Sequence, residues 1–209
     1  MNERLLLREL NQFGSVRNLK DRRKDLYDVK NDILNGTLKA NVKFHNWINE
    51  YRFNIVPEEF EIIVVGSDPL FSGAPYRCVQ ENPVGGGPVA GIAAALELCE
   101  NEIVGVLATD MPFAGAHMVH LLSAMTSHDD AIMYVDSQGF KQPLAALYRR
   151  EALETALSKI GNPHGASMRT LISHLNIHEI HMSPEIEKAM IDVDTPHDLV
   201  VAMEYLAKL

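Results

Sequence analysis

Phosphate chemistry needs backbone N–H donors that an anion can approach and a carboxylate that can hold a hard cation. Three stretches of this sequence supply them. The first is Asn82-Pro83-Val84-Gly85-Gly86-Gly87-Pro88-Val89-Ala90-Gly91. Consecutive glycines let a backbone lie close against a ligand, because no Cβ intervenes and φ is free to turn positive. Pro88 suits the first turn of a helix, where its missing N–H is no loss, and a helix start offers unpaired donors and partial positive charge. The same residues would equally make a tight strand-to-helix turn that binds nothing. The second stretch is Thr109-Asp110-Met111-Pro112. A carboxylate at a strand end suits one contact to Mg²⁺, an ion that keeps several waters and takes other ligands from substrate phosphates. The alternative is an N-cap for a helix starting near Pro112. The third is Asp192-Val193-Asp194. Alternate positions on an extended segment point the same way, so both carboxylates line one pocket, or else they form a capping cluster for the last helix.

These stretches need elements to hold them. Ile62-Ile63-Val64-Val65-Gly66 and Ile103-Val104-Gly105-Val106-Leu107-Ala108 are short apolar runs of the kind found in buried parallel strands. Arg77 to Gln80, Ala131 to Val135, Pro143 to Tyr148 and His178 to Met182 read as further strands, and Asp136-Ser137-Gln138-Gly139 reads as a turn. Helices are expected after Pro88, over 117–126, 151–160 and 167–175, and after Asp194-Thr195-Pro196, where Asp194 or Thr195 is the N-cap and Pro196 the first helical residue. Alternating strands and helices give a three-layer α/β fold with a mainly parallel sheet. In such sheets ligands bind outside the carboxyl ends of the strands, which selects the loops at Gly66, at Asn82 to Pro88 and at Asp110.

Residues 1–52 differ from the rest. They hold 11 of the 19 Lys and Arg but only 7 of the 28 Asp and Glu, which leaves the remainder strongly acidic. The expected organisation is therefore a divergent, basic, Asn-rich segment over 1–55, helical or partly disordered, followed by one α/β domain over 56–209. An acidic body lacks the basic footprint of nucleic-acid binding. No apolar run approaches the roughly 20 residues that span a bilayer, and Met1-Asn2-Glu3-Arg4 opens no signal peptide. Cys78 and Cys99 are too few for a disulfide framework and read as reduced thiols, hence a cytoplasmic location. The triple glycine is not the dinucleotide fingerprint, and no Gly-Lys-Ser/Thr phosphate loop or Gly-x-Ser-x-Gly elbow occurs. His117 with His120, and His178 with His181, lack a third ligand at metal spacing and read as surface histidines.

Taken together the motifs resemble a known family. The residues that carry the resemblance are Glu81-Asn82-Pro83 with Gly87-Pro88-Val89-Ala90-Gly91, then Leu107 to Phe113 and Gln142 to Tyr148, then Gly165 to Leu171 and Asp192 to Leu199. From about Ile62 onward, roughly three-quarters of the chain, the sequence is similar to the MobA-type molybdenum cofactor guanylyltransferases, Rossmann-like nucleotidyltransferases. The resemblance implies transfer of GMP from GTP to molybdopterin with release of pyrophosphate. It implies Mg²⁺ on Asp110 and GTP held by Gly66, Asn82, Gly87 and Asp110, with Asp192 and Asp194 on the pterin side. Other cofactor-biosynthesis or molybdoenzyme-maturation proteins are the implied protein partners. Two positions depart from the family pattern. Asn82 stands where the family usually has Asp. The opening Leu-Ala-Gly-Gly…Arg-Met-Gly…Asp-Lys loop, which wraps the GTP phosphates, has no counterpart. A truncated or out-of-frame start, a true replacement segment, and a protein that binds without catalysing are the three readings of that departure. A nucleotidyltransferase acting on another phosphorylated acceptor is a further alternative.

Overall fold

A computed structural model describes residues 61–66 and 76–206. The expected N-terminal segment over 1–55 lies outside the described residues. These fall into two compact units, 61–66 with 76–108 and 114–187 in the larger, and 109–113 with 188–206 in the smaller.

The larger unit is built on a four-stranded sheet, with a separate parallel pair beside it in sequence. β1 (Ile62–Val65) and β2 (Tyr76–Val79) form the pair. β3 (Ile103–Leu107), β4 (Ala131–Val135), β5 (Lys141–Arg149) and β6 (Ile177–His181) form the sheet in the order β3-β5-β4-β6. β3, β4 and β6 run in one sense; β5 lies between β3 and β4 and runs against both. A tight turn forces that reversal, since only antiparallel strands can be joined by so short a connection. Asp136 builds the turn: its Oδ1 accepts the amides of Gln138 and Phe140 at 2.9 and 2.8 Å. Pro143 sits inside β5, where a ladder donor is missing. The β4–β5 register shifts between Met133 and Val135 around it, as expected of a proline accommodated at a bulge.

β4 is buried on both faces, from Ala131 to Val135, which explains its unbroken apolar run. On one face Ala131, Met133, Ala146 and Tyr148 pack with Val89, Ile92 and Leu96 of α1 (Pro88–Leu96) and with Leu153 and Ala156 of α3 (Arg150–Ile160). Leu171 of α4 (Met168–Ile172) closes this layer. The Tyr148 hydroxyl, buried here, donates to the Pro143 carbonyl at 2.6 Å. On the other face, α2 (Met118–Ala124) follows a single 3₁₀ turn at Ala114–His117 and packs on β5. Leu147 and Met118 meet beside Gly105, each 3.4 Å from where a Cβ on that residue would stand. The three layers expected from the sequence are therefore present. α5 (Pro184–Ala189) is a short helix that the sequence pattern does not announce.

Thr126 and His178 close on Asp129 just ahead of β4. The Thr126 amide and hydroxyl donate to Asp129 Oδ2 at 2.7 and 2.9 Å, and His178 Nδ1 lies 3.1 Å from the same oxygen. Desolvation alone would raise the Asp129 pKa, but the Thr126 donors and the His178 ring outweigh it and hold it below the ordinary carboxylate range. A depressed folded pKa contributes stability that is complete above the unfolded value and lost as pH falls through the folded one. Asp129→Asn is therefore expected to flatten the acid limb of a melting-temperature curve against pH. An acid limb identical to that of the unaltered chain would contradict this.

The smaller unit joins the Thr109–Phe113 segment to the chain after Lys188. α6 (Pro196–Leu206) starts as expected, with Pro196 at its first position. Thr195 Oγ1 accepts the Asp198 amide at 3.3 Å, and Asp198 Oδ2 accepts the Thr195 amide and hydroxyl at 2.8 and 2.7 Å. This reciprocal pair is a capping box with Asp in the acidic position. The Phe113 and Tyr205 rings pack at 4.9 Å between centroids. Among the described residues no helix is long and apolar enough to cross a membrane.

Candidate functional site

The glycine loop connects the end of β2 to α1. Gly87 is the residue before the helix, with φ 82° and ψ −179°, a conformation that an L side chain resists. Its carbonyl accepts the Gly91 amide at 3.0 Å, the first intrahelical bond. The amides of Val89 and Ala90 precede that bond and have no carbonyl one turn back to meet. Gly91 marks a close approach: a Cβ there would stand 3.2 Å from Val65 Cγ1, so α1 lies directly against β1. Gly66 ends β1, donates to the Val79 carbonyl at 2.9 Å and has φ 122°. The carboxyl ends of β1 and β2 and the start of α1 thus meet, and they carry Gly66, Asn82 and Gly87 together. Asn82, Gly85 and Gly87 are exposed.

Two further groups hold this loop. Glu81 Oε1 accepts the Gly85 amide at 3.0 Å. Its own backbone amide and that of Gly85 lower its pKa most, with smaller contributions from the Gly86 amide and the His164 ring; desolvation opposes them. From the other side, the Gly165 amide donates to the Gly86 carbonyl at 2.8 Å. A Cβ on Gly86 would meet Ala90 Cβ at 2.6 Å and His164 Cδ2 at 3.0 Å. The Gly85 amide is thus taken by Glu81, and the Gly86 carbonyl accepts from Gly165.

In the smaller unit, Asp110 lies between β3 and the 3₁₀ turn, and no helix begins at Pro112. Asp110 is therefore not the N-cap that the sequence left open. Its main-chain carbonyl accepts the Val193 amide at 3.0 Å, which ties it to the Asp192–Asp194 segment. Its Oδ1 is buried without a hydrogen-bond partner among the described residues. A buried carboxylate oxygen left unpaired is costly unless something positive meets it. Burial and then the charges of Asp110, Asp194 and Asp198 push the Asp192 pKa up. The capping alternative for Asp192 and Asp194 is filled by Thr195 and Asp198 instead. The structure brings Asp110 and Asp192 together as an anionic pair with one orphaned oxygen. That suits a hard divalent cation held by one or two carboxylates and completed by phosphate and water. No cluster of three or more His, Cys, Asp or Glu able to hold a metal occurs among the described residues.

The Asp192 charge has a stability consequence. A raised carboxyl pKa means that the folded state disfavours the ionised form, so stability is gained as pH falls through the folded value and is missing at neutral pH. Asp192→Asn is expected to raise the melting temperature at pH 7. A lower melting temperature in the variant would contradict the repulsion.

The other sequence candidates stay outside this chemistry. His178 is paired with Asp129, and His120 Nδ1 lies 3.0 Å from the Tyr134 hydroxyl. The Cys78 thiol donates to the Gly66 carbonyl at 3.4 Å, and Cys99 is buried. Sequence reasoning quoted Glu81 and Gly165 within motifs without assigning them a contact, and it passed over His164. No residue spacing shows that a turn some eighty residues downstream docks on the glycine loop.

With this geometry established, comparison with known proteins is informative. Residues 54–179 match the model of the MobA-like NTP transferase domain. A probable molybdenum cofactor guanylyltransferase of Natronomonas pharaonis is 31% identical over 139 residues, covering 64% of this chain and 67% of that one. A protein of the same name from a Geobacillus species is 26% identical over 176 residues, covering 78% and 88%. Among solved structures, molybdopterin-guanine dinucleotide biosynthesis protein A of Archaeoglobus fulgidus superposes with a TM-score of 0.59 at 23% identity, over 78% of this chain and 86% of that one. The 2-C-methyl-D-erythritol 4-phosphate cytidylyltransferase of Thermus thermophilus gives 0.54 at 16% identity, over 78% and 89%. At these identities the two structures speak for a shared Rossmann-like fold. The family match spans more than half of the chain, so this protein belongs to the MobA-like NTP transferase family and is a nucleotidyltransferase.

Proposed function

We propose that this chain transfers GMP from GTP to the terminal phosphate of molybdopterin and releases pyrophosphate, in the biosynthesis of the molybdenum cofactor. The family match and the guanylyltransferase names of its relatives support the pathway. The observation that carries the chemistry is the orphaned, buried Oδ1 of Asp110 beside Asp192. In the reaction a terminal phosphate oxygen of molybdopterin attacks the α-phosphorus of GTP. The bond from that phosphorus to the bridging oxygen breaks, and pyrophosphate leaves with the electron pair.

Gly66, Asn82 and Gly87 are assigned to GTP, Asp110 to the cation and to GTP, and Asp192 with Asp194 to the pterin side. When bound, Mg²⁺ neutralises phosphate charge that would otherwise oppose the attack. The residues act by positioning, since phosphoryl transfer leaves little covalent work to a protein. Gly87 and the start of α1 offer N–H groups to phosphate oxygens. Asn82 in place of the usual Asp keeps a hydrogen-bonding carbonyl and removes one negative charge. The reaction is assigned to the cytoplasm, in keeping with a chain of only two cysteines.

Calorimetry with GTP, ATP and CTP, each with Mg²⁺, tests the reading. GTP is expected to bind at least about tenfold more tightly than the other two, a difference of about 1.4 kcal/mol. Equal affinities, or no binding of GTP, would remove it. A second reading is binding of cofactor without turnover. Pterin binding without GTP binding in the same calorimeter would select that one.

A further inference from the structure

The loop Asn82–Gly87 is braced from two sides by groups that no motif assigns. Glu81 accepts the Gly85 amide at 3.0 Å from within the loop. The turn before α4 supplies the other brace. There the His164 amide donates to Asn162 Oδ1 at 3.1 Å, which shapes the turn. Gly165 then donates to the Gly86 carbonyl at 2.8 Å, and the His164 ring edge fills the space next to Gly86. Glu81 is half-buried and His164 exposed. Neither side chain belongs to the core, so packing of the sheet does not account for them. A glycine-rich segment loses more conformational freedom on ordering than any other, and a ligand that must order it binds correspondingly less tightly.

We propose that Glu81 and His164 are positioning residues of the nucleotide loop, fixing Gly85 and Gly86 in advance so that Gly87 and the first amides of α1 are left for the nucleotide phosphates. Resting on the guanylyltransferase reading, this refines which donors serve the ligand. Glu81 acts as a hydrogen-bond acceptor, and its charge is incidental. His164 acts through the ring it sets beside Gly86.

Calorimetric titration of GTP with Mg²⁺ into the full chain and four variants, with melting temperatures, tests this. Glu81→Ala is expected to weaken GTP binding about tenfold, the effect of losing one hydrogen bond. Glu81→Gln, whose side-chain carbonyl accepts the same amide, is expected to stay within about threefold of the unaltered chain by the same scale. His164→Ala should weaken binding about fivefold and His164→Phe less than about twofold. All four should melt close to the unaltered chain, because neither side chain is in the core. Unchanged affinity in both alanine variants overturns the proposal. Tighter binding by Glu81→Ala overturns it too, since Glu81 would then be a competitor for the amides. Equal losses in Glu81→Ala and Glu81→Gln would also overturn it, by showing that the charge matters. If the unaltered chain binds no GTP, the guanylyltransferase reading falls together with the proposal. If it binds GTP and the variants match it, this proposal alone falls.

Discussion

Asp110→Ala is expected to lower nucleotidyl transfer by at least about 10²–10³-fold while leaving the fold intact, the scale seen when a group that stabilises transition-state charge is removed. The two parts of this expectation have separate causes. Activity falls because the carboxylate with the orphaned Oδ1 is the group proposed to hold the cation. The fold survives because the structural bond at this position is made by the main-chain carbonyl, which accepts the Val193 amide whatever the side chain is. The variant should melt at or above the temperature of the unaltered chain at pH 7, because Asp110 is one of the charges that push the Asp192 pKa up. More stable and less active is the behaviour of a functional group retained at a cost to stability. Circular dichroism melts beside a pyrophosphate-release assay check both parts. Retention of more than about a tenth of the activity, against the losses typical of such groups, would take Asp110 out of the chemistry.

Gly86→Val is the second large effect. The new Cβ would stand 2.6 Å from Ala90 Cβ, and neither atom can rotate away because both are fixed to backbone. His164, at 3.0 Å, is the far end of an exposed side chain and can give way. The start of α1 must therefore shift, at about 1–3 kcal/mol for an overpacked site, and the amides proposed to meet the nucleotide shift with it. GTP affinity is expected to fall at least about tenfold, more than stability alone would explain. Two comparisons isolate the cause. Gly87→Ala meets nothing within 4 Å but needs φ near 82°, so it costs about 1–2 kcal/mol as conformational strain. Gly139→Ala, with φ 87° in the β4–β5 turn, carries the same kind of strain and should leave GTP binding untouched. If Gly139→Ala and Gly86→Val weaken GTP binding equally, the loss is one of global stability and not of the loop.

These expectations draw on features the sequence reveals unequally. Local chemistry is legible where one residue type settles one conformation. Thr195 and Pro196 place the start of α6, and the run from Ala131 to Val135 places a strand buried on both faces. Asp136-Ser137-Gln138-Gly139 was recognisable as a turn. Its consequence for β5, which has to reverse between β3 and β4, follows only when the connection is seen to be too short for a crossover. Boundaries moved where a proline or a 3₁₀ turn intervenes: β5 extends from Lys141 past Pro143 to Arg149, and the helix expected from His117 begins at Met118 after a single 3₁₀ turn.

The candidate site follows the same division. Asp110 could be nominated as a carboxylate just after a buried strand, and Asp192 with Asp194 as carboxylates alternating on an extended segment before the last helix. Whether they capped helices was undecidable until Thr195 and Asp198 were seen to do that work. Glu81 and Gly165 were visible as letters, but their roles depend on long-range docking of the turn before α4 onto the glycine loop. Such contacts follow from packing of α1, α3 and α4 on the sheet, and no periodicity in the sequence encodes them.

The central claim is that this chain joins GMP to molybdopterin. It is tested most directly by incubating the full chain with GTP, Mg²⁺ and molybdopterin and measuring pyrophosphate together with the dinucleotide product. One pyrophosphate released per dinucleotide formed, dependent on both GTP and Mg²⁺ and abolished in Asp110→Ala, is the predicted result. GTP and molybdopterin both recovered unchanged, from a chain that calorimetry shows to bind them, would contradict it.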